Sequence, residues 1–334
     1  MKVDREELLR CMEAVSPGLD KQATIDQSDC LIFEGGKLRT YNIEVACWIE
    51  SPLGDFTGAL KAESAIQLLQ KLTEKQVQVS QEEGLLIING KRRRAKLLLE
   101  ESIRLPSAVN EEPEQWVPLS PEFGEAVDTV RHCVSRSREE FIINCIHIHP
   151  EWVEATDDVQ LARYFIKTGV AESCLVRPSS VRQVVQLGMN ESGLTKTWLH
   201  FRNAQGLHLS CRKYMETFPP CSEVLAHTGQ PIKLPSGLKN IVDRAEVFSV
   251  DNADQSSTVE VRIKGGKIRI KGVGPYGEYE ELKVIDSDAD VSFVISSKML
   301  VELAEKSQEC QIVEDRMLLV DDEKYKYATA LFSE

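Results

Sequence analysis

Two short stretches with nearly the same pattern decide the fold class: residues 32–39 read IFEGGKLR, and residues 262–269 read RIKGGKIR. In each, apolar and polar residues alternate around Gly-Gly-Lys, which is typical of two strands joined by a tight hairpin turn. The two glycine pairs begin at Gly35 and Gly265, 230 residues apart, which is twice 115. A step of 115 from Gly35 leads to Pro150 in IHIHPEWVEA, another strand, turn and strand. This spacing predicts that the chain repeats one unit three times.

Candidate helices fall on the same period. Apolar residues recur at helical spacing in two segments of each third of the chain. The first helices of the thirds start 116 and 116 residues apart, and the second helices start 117 and 118 apart. The predicted helices are 4–15, 61–72, 120–134, 178–187, 236–248 and 296–306, and the predicted strands include 30–33, 46–49, 77–80, 85–89, 207–212, 259–263, 267–271 and 311–313.

The linkers between the thirds, at 107–118 and 226–235, each contain two prolines, and the first is also rich in acidic residues. They divide the chain into three predicted domains of about 110 residues, at 1–108, 119–226 and 232–334. Each domain contains two units of a helix with strands. The spacing alone therefore predicts an α+β protein with three repeated domains.

The composition excludes several classes of protein. The 334 residues include 40 Lys+Arg and 53 Asp+Glu, a net charge of −13, with 42% hydrophobic residues, as in ordinary globular proteins. No stretch approaches the roughly 18 apolar residues of a membrane span. Residues 1–7, MKVDREE, carry acids where a signal peptide needs an apolar core. Nine cysteines without a Cys-x-x-Cys pair predict reduced thiols in a cytosolic protein rather than disulfides or a zinc site.

Three equal domains of this pattern resemble the bacterial DNA polymerase III β sliding clamp over almost the entire chain. Residues 56–107 follow that family's order of strand, helix, hairpin and closing strand, and reach its Leu-Pro step. ATDDVQL (155–161) stands where the family has Ala-Thr-Asp-Gly-His-Arg-Leu, and TFP (217–219) stands at its Phe-Pro step. From Arg244 onward, the chain follows the family's helix, strands and helix to a C-terminal strand.

The resemblance implies an α+β fold of three clamp domains, each with two helices on an antiparallel sheet, assembled as a head-to-tail homodimeric ring. In such a ring the helices line the hole, and duplex DNA passes through without its bases being read. The implied function is a sliding clamp that tethers the replicative polymerase to DNA for processivity. It implies no catalysis, cofactor, metal or membrane partner, and a location in the cytoplasm with the nucleoid or replisome.

The charge distribution offers a test of the implied DNA channel. The predicted helical segments with their flanking residues hold 14 Lys+Arg and 13 Asp+Glu, so they carry +1 and the rest of the chain carries −14. A wall that attracts phosphates without contacting bases lets a ring slide. Ordinary solvated helix faces are the alternative interpretation. These segments are 4–15, 61–75, 120–138, 177–188, 236–248 and 296–306. The candidate lining residues are Arg10, Lys71, Lys75, Arg131, Arg136, Arg138, Arg177, Arg182, Lys239 and Lys298.

The resemblance also implies a pocket between the middle and last domains that binds short peptides of polymerases and the clamp loader. This chain departs from the family there. Gly-His-Arg is replaced by DVQ (158–160), an Arg by Glu223, and the ending Met-Pro-Met-Arg-Leu by ALFSE (330–334). These changes indicate a different peptide consensus, as in a phage or otherwise divergent clamp, or a degraded pocket; plain interdomain core is the alternative. The candidate residues are Ile143, Thr156, Leu161, Pro219, Val224, Ala328, Ala330, Leu331 and Phe332.

Motifs that would indicate other chemistry do not have the required context. GVGPYG (272–277) matches Gly-x-Gly-x-x-Gly but leads into a strand rather than a helix, which predicts a hairpin. KRRR (91–94) follows Asn-Gly, which favours a solvated strand edge over a nucleic-acid patch. His147 and His149 have no third ligand at metal-site spacing. An α+β enzyme with an interdomain active site and a clamp-like scaffold that is not loaded remain as alternatives.

Overall fold

The computed structural model describes residues 1–106, 112–137, 140–249 and 257–332. Arg138, one of the candidate lining residues, lies outside these ranges. The chain divides into two compact units. Unit 1 comprises residues 1–128, 145–151 and 166–216, and unit 2 comprises 129–144, 152–165 and 217–334. The middle third of the chain thus contributes to both units, and the boundaries of the three predicted domains stay a prediction.

Six α-helices form in the described residues, two in each third of the chain. They are α1 (Arg5–Ala14), α2 (Ala62–Lys71), α3 (Phe123–Val130), α4 (Pro178–Gln186), α5 (Leu238–Ser249) and α6 (Ser297–Lys306). The strands are β1 (Lys2–Asp4), β2 (Cys30–Glu34), β3 (Lys37–Tyr41), β4 (Val45–Glu50), β5 (Gly58–Lys61), β6 (Gln76–Glu82), β7 (Leu85–Asn89), β8 (Arg94–Glu100), β9 (Val117–Pro118), β10 (Ile146–His149), β11 (Trp152–Thr156), β12 (Gln160–Phe165), β13 (Cys174–Val176), β14 (Glu191–Leu194), β15 (Trp198–Arg202), β16 (His208–Arg212), β17 (Gln230–Lys233), β18 (Thr258–Lys264), β19 (Lys267–Gly274), β20 (Gly277–Val284), β21 (Val291–Ser296), β22 (Glu309–Val313), β23 (Met317–Asp321) and β24 (Tyr325–Ala330).

Unit 1 contains a twelve-stranded sheet in the order β1-β6-β7-β8-β5-β2-β3-β4-β16-β15-β14-β9. The pairings along it are antiparallel, and β16 joins the sheet by pairing with β4, so that His208 lies opposite Trp48. The short strands β10 and β13 also pair within this unit, with Ile146 opposite Val176. A strand of the middle third therefore continues the sheet of the first third.

Unit 2 contains six strands in the hydrogen-bonded order β11-β12-β24-β23-β22-β17 and a separate four-stranded sheet, β20-β19-β18-β21. Strand β12 of the middle third pairs with the C-terminal β24, which places Leu161 opposite Ala328. All of these neighbours are antiparallel. The described residues thus form an α+β fold with antiparallel sheets, which confirms the predicted fold class.

The helices use their apolar faces for the core, as their spacing predicts. Helix α1 is capped by Asp4, whose carboxylate accepts the backbone N–H of Glu6 and Glu7 at 2.9 and 3.1 Å. Its Leu8 and Met12 are fully buried. Helix α4 has Pro178 in its first turn, where a missing N–H costs no intrahelical bond.

The Gly-Gly hairpins are confirmed. Gly35 and Gly36 have φ of 58° and 73° between β2 and β3, and Gly265 and Gly266 have φ of 56° and 70° between β18 and β19. Two consecutive positive φ angles define the turn type that matches the twist of the flanking strands, and glycine adopts them at little cost. The segment 272–277 also forms a hairpin, between β19 and β20, as predicted.

Helix α3 differs from its prediction. The sequence indicates a helix from Ser120 with Pro121 as its first residue, but the helix begins at Phe123 and is followed by a single 3₁₀ turn at Arg131–Cys133. The Ser120 hydroxyl accepts the N–H of Glu122 at 3.3 Å, and the Ser120 carbonyl accepts the N–H of Phe123 at 3.0 Å. These bonds form a turn before the helix, so the serine marks a turn rather than the cap.

All nine cysteines are buried and free of disulfides, as predicted. In the residues that the structure describes, no helix is both long and apolar enough to cross a membrane.

Candidate functional site

An apolar groove lies on unit 2 where three strands and a loop meet. Its volume is about 330 Å³. The lining residues, which define "the groove" below, are Thr156, Asp158, Val159, Gln160, Leu161, Pro219, Pro220, Cys221, Val224, Arg316, Met317, Ala328, Thr329 and Ala330.

Strand register brings these distant segments together. On the central strand β24, Ala328 lies opposite Leu161 of β12, and Ala330 lies opposite Met317 of β23. Side chains two residues apart on a strand point to the same face, so Ala328 and Ala330 share one face. Their small side chains leave room between the larger neighbours on both sides. Because Pro219 and Val224 add apolar walls from a loop, the groove can accept apolar side chains.

The turn between β11 and β12 has a left-handed residue. Asp158 has φ of 70°, a conformation that favours glycine and that Asp and Asn tolerate best among the others. The Asp157 carboxylate supports the turn by accepting the N–H of Val159 at 3.1 Å and of Gln160 at 2.8 Å. The resembling family has glycine at this position, so the backbone requirement persists while a carboxylate is added.

Gln160 lines the groove, but its amide group is held by hydrogen bonds inside unit 2. Its amide nitrogen donates to Asp157 at 2.9 Å and to the His132 carbonyl at 3.4 Å, and its amide oxygen accepts the Tyr327 hydroxyl at 3.0 Å. The residue is buried. Where the family has an arginine, this chain therefore has a residue that ties β12 to β24, and the charge of that arginine is missing.

A buried ion pair lies close to the groove. Arg163 and Glu154, on adjacent strands, approach to 2.7 Å with side chains 7% and 3% exposed. The guanidinium also donates to Ser222 at 3.2 Å and lies 4.7 Å from the centre of the Trp152 ring. Burial, together with the Glu154 carboxylate, raises the pKa of the neighbouring Cys221 thiol to about 12, so this groove residue stays protonated at neutral pH.

Six of the nine residues predicted for peptide binding line the groove: Thr156, Leu161, Pro219, Val224, Ala328 and Ala330. The other three are not part of it. Ile143 is buried in a 3₁₀ turn. The Leu331 N–H donates to the Arg316 carbonyl at 2.8 Å, and Phe332 pairs with Val294 and is 45% exposed.

Arg316 and Met317, on the hairpin between β22 and β23, line the groove but were not predicted to do so. The preceding Glu314 and Asp315 have φ of 49° and 55° without being glycine or asparagine, so the turn carries no obvious signature. The continuous run of apolar residues at 317–320, MLLV, was the available signal. It predicts a strand but not that the strand reaches this groove.

The candidate lining residues that the structure describes lie on helices or directly beside them. Arg10, Lys71, Arg182, Lys239 and Lys298 lie on helices, whereas the rest lie just outside: Lys75 after α2, Arg131 and Arg136 after α3, and Arg177 before α4. All are exposed except the half-buried Arg177.

Two of these lysines are paired with acids. Lys239 lies 2.7 Å from Glu305, and Lys298 lies 3.8 Å from Glu302. The hydrogen bond that Lys239 donates to the Glu305 carboxylate raises the Lys239 pKa. By contrast, within the described part of the chain no carboxylate lies within 4 Å of five others: Arg10, Lys71, Lys75, Arg136 and Arg182.

The helices themselves are not basic. Within their observed bounds they hold eight Lys+Arg and ten Asp+Glu, a net charge of −2. The +1 of the predicted segments therefore comes from residues that flank the helices, such as Lys75 and Arg177. Any attraction of these surfaces for phosphate rests on the flanking residues as much as on the helix faces.

The described residues contain no group of three or more His, Cys, Asp or Glu side chains arranged to hold a metal ion. His132 and Glu302 form a pair of such side chains, with the Nε2 and Oε2 atoms 3.5 Å apart. Burial, reinforced by Lys306 and Lys298, lowers the His132 pKa to about 4, so its imidazole is neutral at pH 7.

No protein-family model and no curated protein matches this sequence. Solved structures do match across its full length. A DNA polymerase sliding clamp from Bacillus subtilis matches with a TM-score of 0.87 at 15% identity, covering 100% of this chain and 98% of that one. The pol III beta of Caulobacter crescentus gives 0.87 at 18% identity and covers 100% of both chains. The DNA polymerase III beta subunit of Thermotoga maritima gives 0.84 at 15%, covering 100% and 99%. The chain therefore has the fold of the DNA polymerase III beta sliding clamps, as the resemblance predicted.

Proposed function

We propose that this protein is a DNA sliding clamp, which encircles duplex DNA as a homodimeric ring and tethers a polymerase without catalysis of its own. The observation that carries the proposal is the full-length likeness to sliding clamps at TM-scores of 0.84 to 0.87. A likeness that covers all of this sequence and at least 98% of each neighbour supports a clamp role for the described fold as a whole. The same likeness supports a proposed location in the cytoplasm, at the replicating nucleoid.

The groove supports the tether. It is apolar, open to solvent and next to the end of β24, and six residues predicted for peptide capture line it. A few apolar anchors in such a groove supply most of the affinity of a short peptide. Polymerases and a clamp loader that carry such peptides are the proposed partners.

Two open strand edges support the homodimer. Among the described residues, residues 94–98 of β8 pair on one side only, with β7, and β20 pairs only with β19. Exposed side chains on the β8 edge include Arg94 and Leu98, and those on β20 include Glu280 and Leu282. Unpaired edges with apolar residues and opposite charges are suited to pairing between two copies. Because the edges differ, the contact is head to tail, and such a contact forms a ring when the rotation between the two copies closes it.

A topological experiment tests the ring. The protein is incubated with a nicked circular plasmid and passed through a gel-filtration column in moderate salt. A clamp that encircles DNA co-elutes with the plasmid and is released when a restriction enzyme linearises it, because a ring slides off an end. Release on linearisation supports the proposal. Binding that is the same on circular and linear DNA, or no retention after loading at high protein concentration, contradicts it.

A variant tests the predicted lining. Arg10, Lys71, Lys75 and Arg182 are exposed and have no carboxylate within 4 Å among the described residues, so changing all four to Glu should reduce retention on the circle and its salt dependence. A charge-matched control changes four other exposed lysines to Glu: Lys21, Lys196, Lys233 and Lys267. Equal loss in both variants would assign the effect to net charge alone and would contradict the lining.

A further inference from the structure

The groove has a charged residue at each of two sides. Asp158 and Arg316 both line it and both are exposed. Among the residues that the structure describes, no hydrogen bond or ion pair involves the Asp158 carboxylate or the Arg316 guanidinium. Each charge is therefore available to a ligand in the groove.

The strand order sets the separation of these two charges. Asp158 precedes β12 and Arg316 precedes β23, and β24 lies between these strands. Gln160 and Met317 pair with Thr329 and Ala330 at the end of β24, so both turns lie at the same end of the sheet. Two strand spacings of about 4.8 Å separate the strands by about 10 Å. The long terminal side chains of a four-residue peptide segment reach across that distance, so its backbone need not be fully extended.

A second carboxylate, that of Glu223, adds negative charge on the Asp158 side of the groove. Glu223 precedes the groove residue Val224 and is exposed, and its side chain has no partner among the described residues. Burial first, and then the nearby carboxylates Glu154 and Asp158, raise the pKa of Cys221, which agrees with Asp158 lying close to that groove thiol. The floor between the two charges consists of apolar side chains, including Leu161, Met317 and Ala328.

We propose that the groove selects a short peptide in which two apolar anchors lie between a basic residue that faces Asp158 and an acidic residue that faces Arg316. This inference rests on the proposed function of the groove and adds its specificity. The negative charge of Asp158 distinguishes this chain from the family that it resembles, which has glycine at that position. The family's arginine is replaced by Gln160, whose amide is hydrogen-bonded to Asp157 and Tyr327. A peptide with the two charges exchanged would place its acidic residue near Asp158 and its basic residue near Arg316, and the repulsion between like charges would weaken its binding.

Three fluorescein-labelled synthetic peptides test the proposal by fluorescence anisotropy: Gly-Lys-Leu-Phe-Glu-Gly, its charge-swapped form Gly-Glu-Leu-Phe-Lys-Gly, and Gly-Gln-Leu-Phe-Gln-Gly. The first two have the same net charge and composition, so non-specific attraction to an acidic protein cancels. We expect the first to bind about three- to tenfold more tightly than the second, with the neutral peptide between them. The preference should shrink at high salt, because the charges are exposed.

Variants assign the preference to its residues. Asp158→Asn removes the charge but keeps a residue that tolerates the positive φ, and it should reduce the preference at least by half. The double variant Asp158→Lys with Arg316→Glu should reverse it. A matched control is Glu83→Gln, because Glu83 is another exposed acid with positive φ (42°), in unit 1. Thermal unfolding by circular dichroism shows whether each variant is folded.

The outcomes separate this inference from the proposed function. Equal affinities for the three peptides would overturn charge selection and leave the groove as a peptide site. A preference that persists unchanged in Asp158→Asn and Arg316→Glu would overturn the residue assignment. If no peptide binds up to about 1 mM, a concentration at which even very weak peptides are detected, the proposed peptide site fails as well. The plasmid experiment tests the ring independently of all three results.

Discussion

The imidazole of His208 stacks on the indole of Trp48, with ring centres 3.7 Å apart and planes 14° from parallel. The two residues face each other across the β4–β16 ladder, where a strand of the middle third continues the sheet of the first. Lys37 Nζ lies 3.8 Å from the Trp48 ring centre. Burial lowers the His208 pKa to about 4; Arg202 and Lys37 reinforce the shift, and Glu112 opposes it. At neutral pH the stack is therefore between uncharged rings.

The protein should lose stability as the pH falls below about 6.5, before most carboxylates are protonated. Burial lowers the pKa of His132, His200 and His208 to about 4, whereas an unfolded histidine titrates near 6.5. Between these values the unfolded state binds more protons, so the free energy of unfolding falls as the pH falls from about 6.5 to 4. Each histidine contributes at most about 1.4 kcal/mol per pH unit. Urea unfolding at pH 7, 6 and 5 measures the slope.

One of the three histidines can be isolated. His200 is buried, with Nε2 2.9 Å from the Thr195 hydroxyl and Nδ1 2.8 Å from the Ser210 hydroxyl. His200→Gln should lower stability at pH 7 but reduce the slope between pH 6 and 5. The exposed His227 provides the control, and His227→Gln should leave the slope unchanged. An equal slope in the wild type and the His200 variant would contradict the assignment.

Breaking the ion pair beside the groove should cost much more than breaking a surface pair. In Glu154→Gln the Arg163 guanidinium loses its countercharge while only 7% exposed, and we expect a loss of about 3 kcal/mol in the free energy of unfolding, since an unpaired buried charge is poorly solvated. The matched control is Asp290→Asn, which breaks the exposed pairs of Asp290 with Arg262 at 2.6 Å and with Lys264 at 3.2 Å, and should cost far less. Similar losses in both variants would show that Arg163 finds solvent or another partner.

Replacing Ile43, a turn residue with a strained backbone conformation, should stabilise the protein. Ile43 has φ of 75° in the turn between β3 and β4, where the Asn42 N–H donates to the Val45 carbonyl at 3.0 Å. A β-branched residue is strained in this conformation, and its side chain is 40% exposed, so it contributes little burial. Ile43→Asn should raise the free energy of unfolding by about 1 kcal/mol, because Asn tolerates positive φ. Ile43→Val keeps a β-branched residue in the strained conformation and should not raise the free energy of unfolding. Stabilisation by both variants would contradict strain as the cause.

Much of the fold was predictable because its signals are local. The Gly-Gly pairs at 35–36 and 265–266 form the predicted hairpins, and five of the six predicted helices match within two residues at each end. Helical periodicity and turn chemistry act over a few residues, so a single sequence contains them. The predicted start of helix α3 was wrong because the Ser120 hydroxyl accepts a hydrogen bond within a turn that precedes the helix. A serine followed by proline is compatible with either structure.

The groove was less predictable because it depends on pairing between distant segments. Gln160 bonds Tyr327, 167 residues away, and Arg316 enters the groove from a turn with no glycine. Neither contact has a local signature. Thr156 and Leu161 were found through the resemblance, whereas Arg316 and Met317 could be assigned only once β23 was seen beside β24.

The two open strand edges predict which substitutions would dissociate the proposed dimer. Leu98 on β8 is 79% exposed and Leu282 on β20 is 60% exposed, and in the proposed ring each would be covered by the neighbouring copy. Leu98→Glu and Leu282→Glu should each shift the solution mass from two 37.6 kDa chains toward one, because a carboxylate must be desolvated in the contact. Light scattering over a range of concentrations measures the shift. The control is Met215→Glu, at a residue 74% exposed elsewhere on unit 1. A dimer unaffected by both leucine variants would place the contact on other edges, and a monomeric wild type at all concentrations would contradict the homodimer itself.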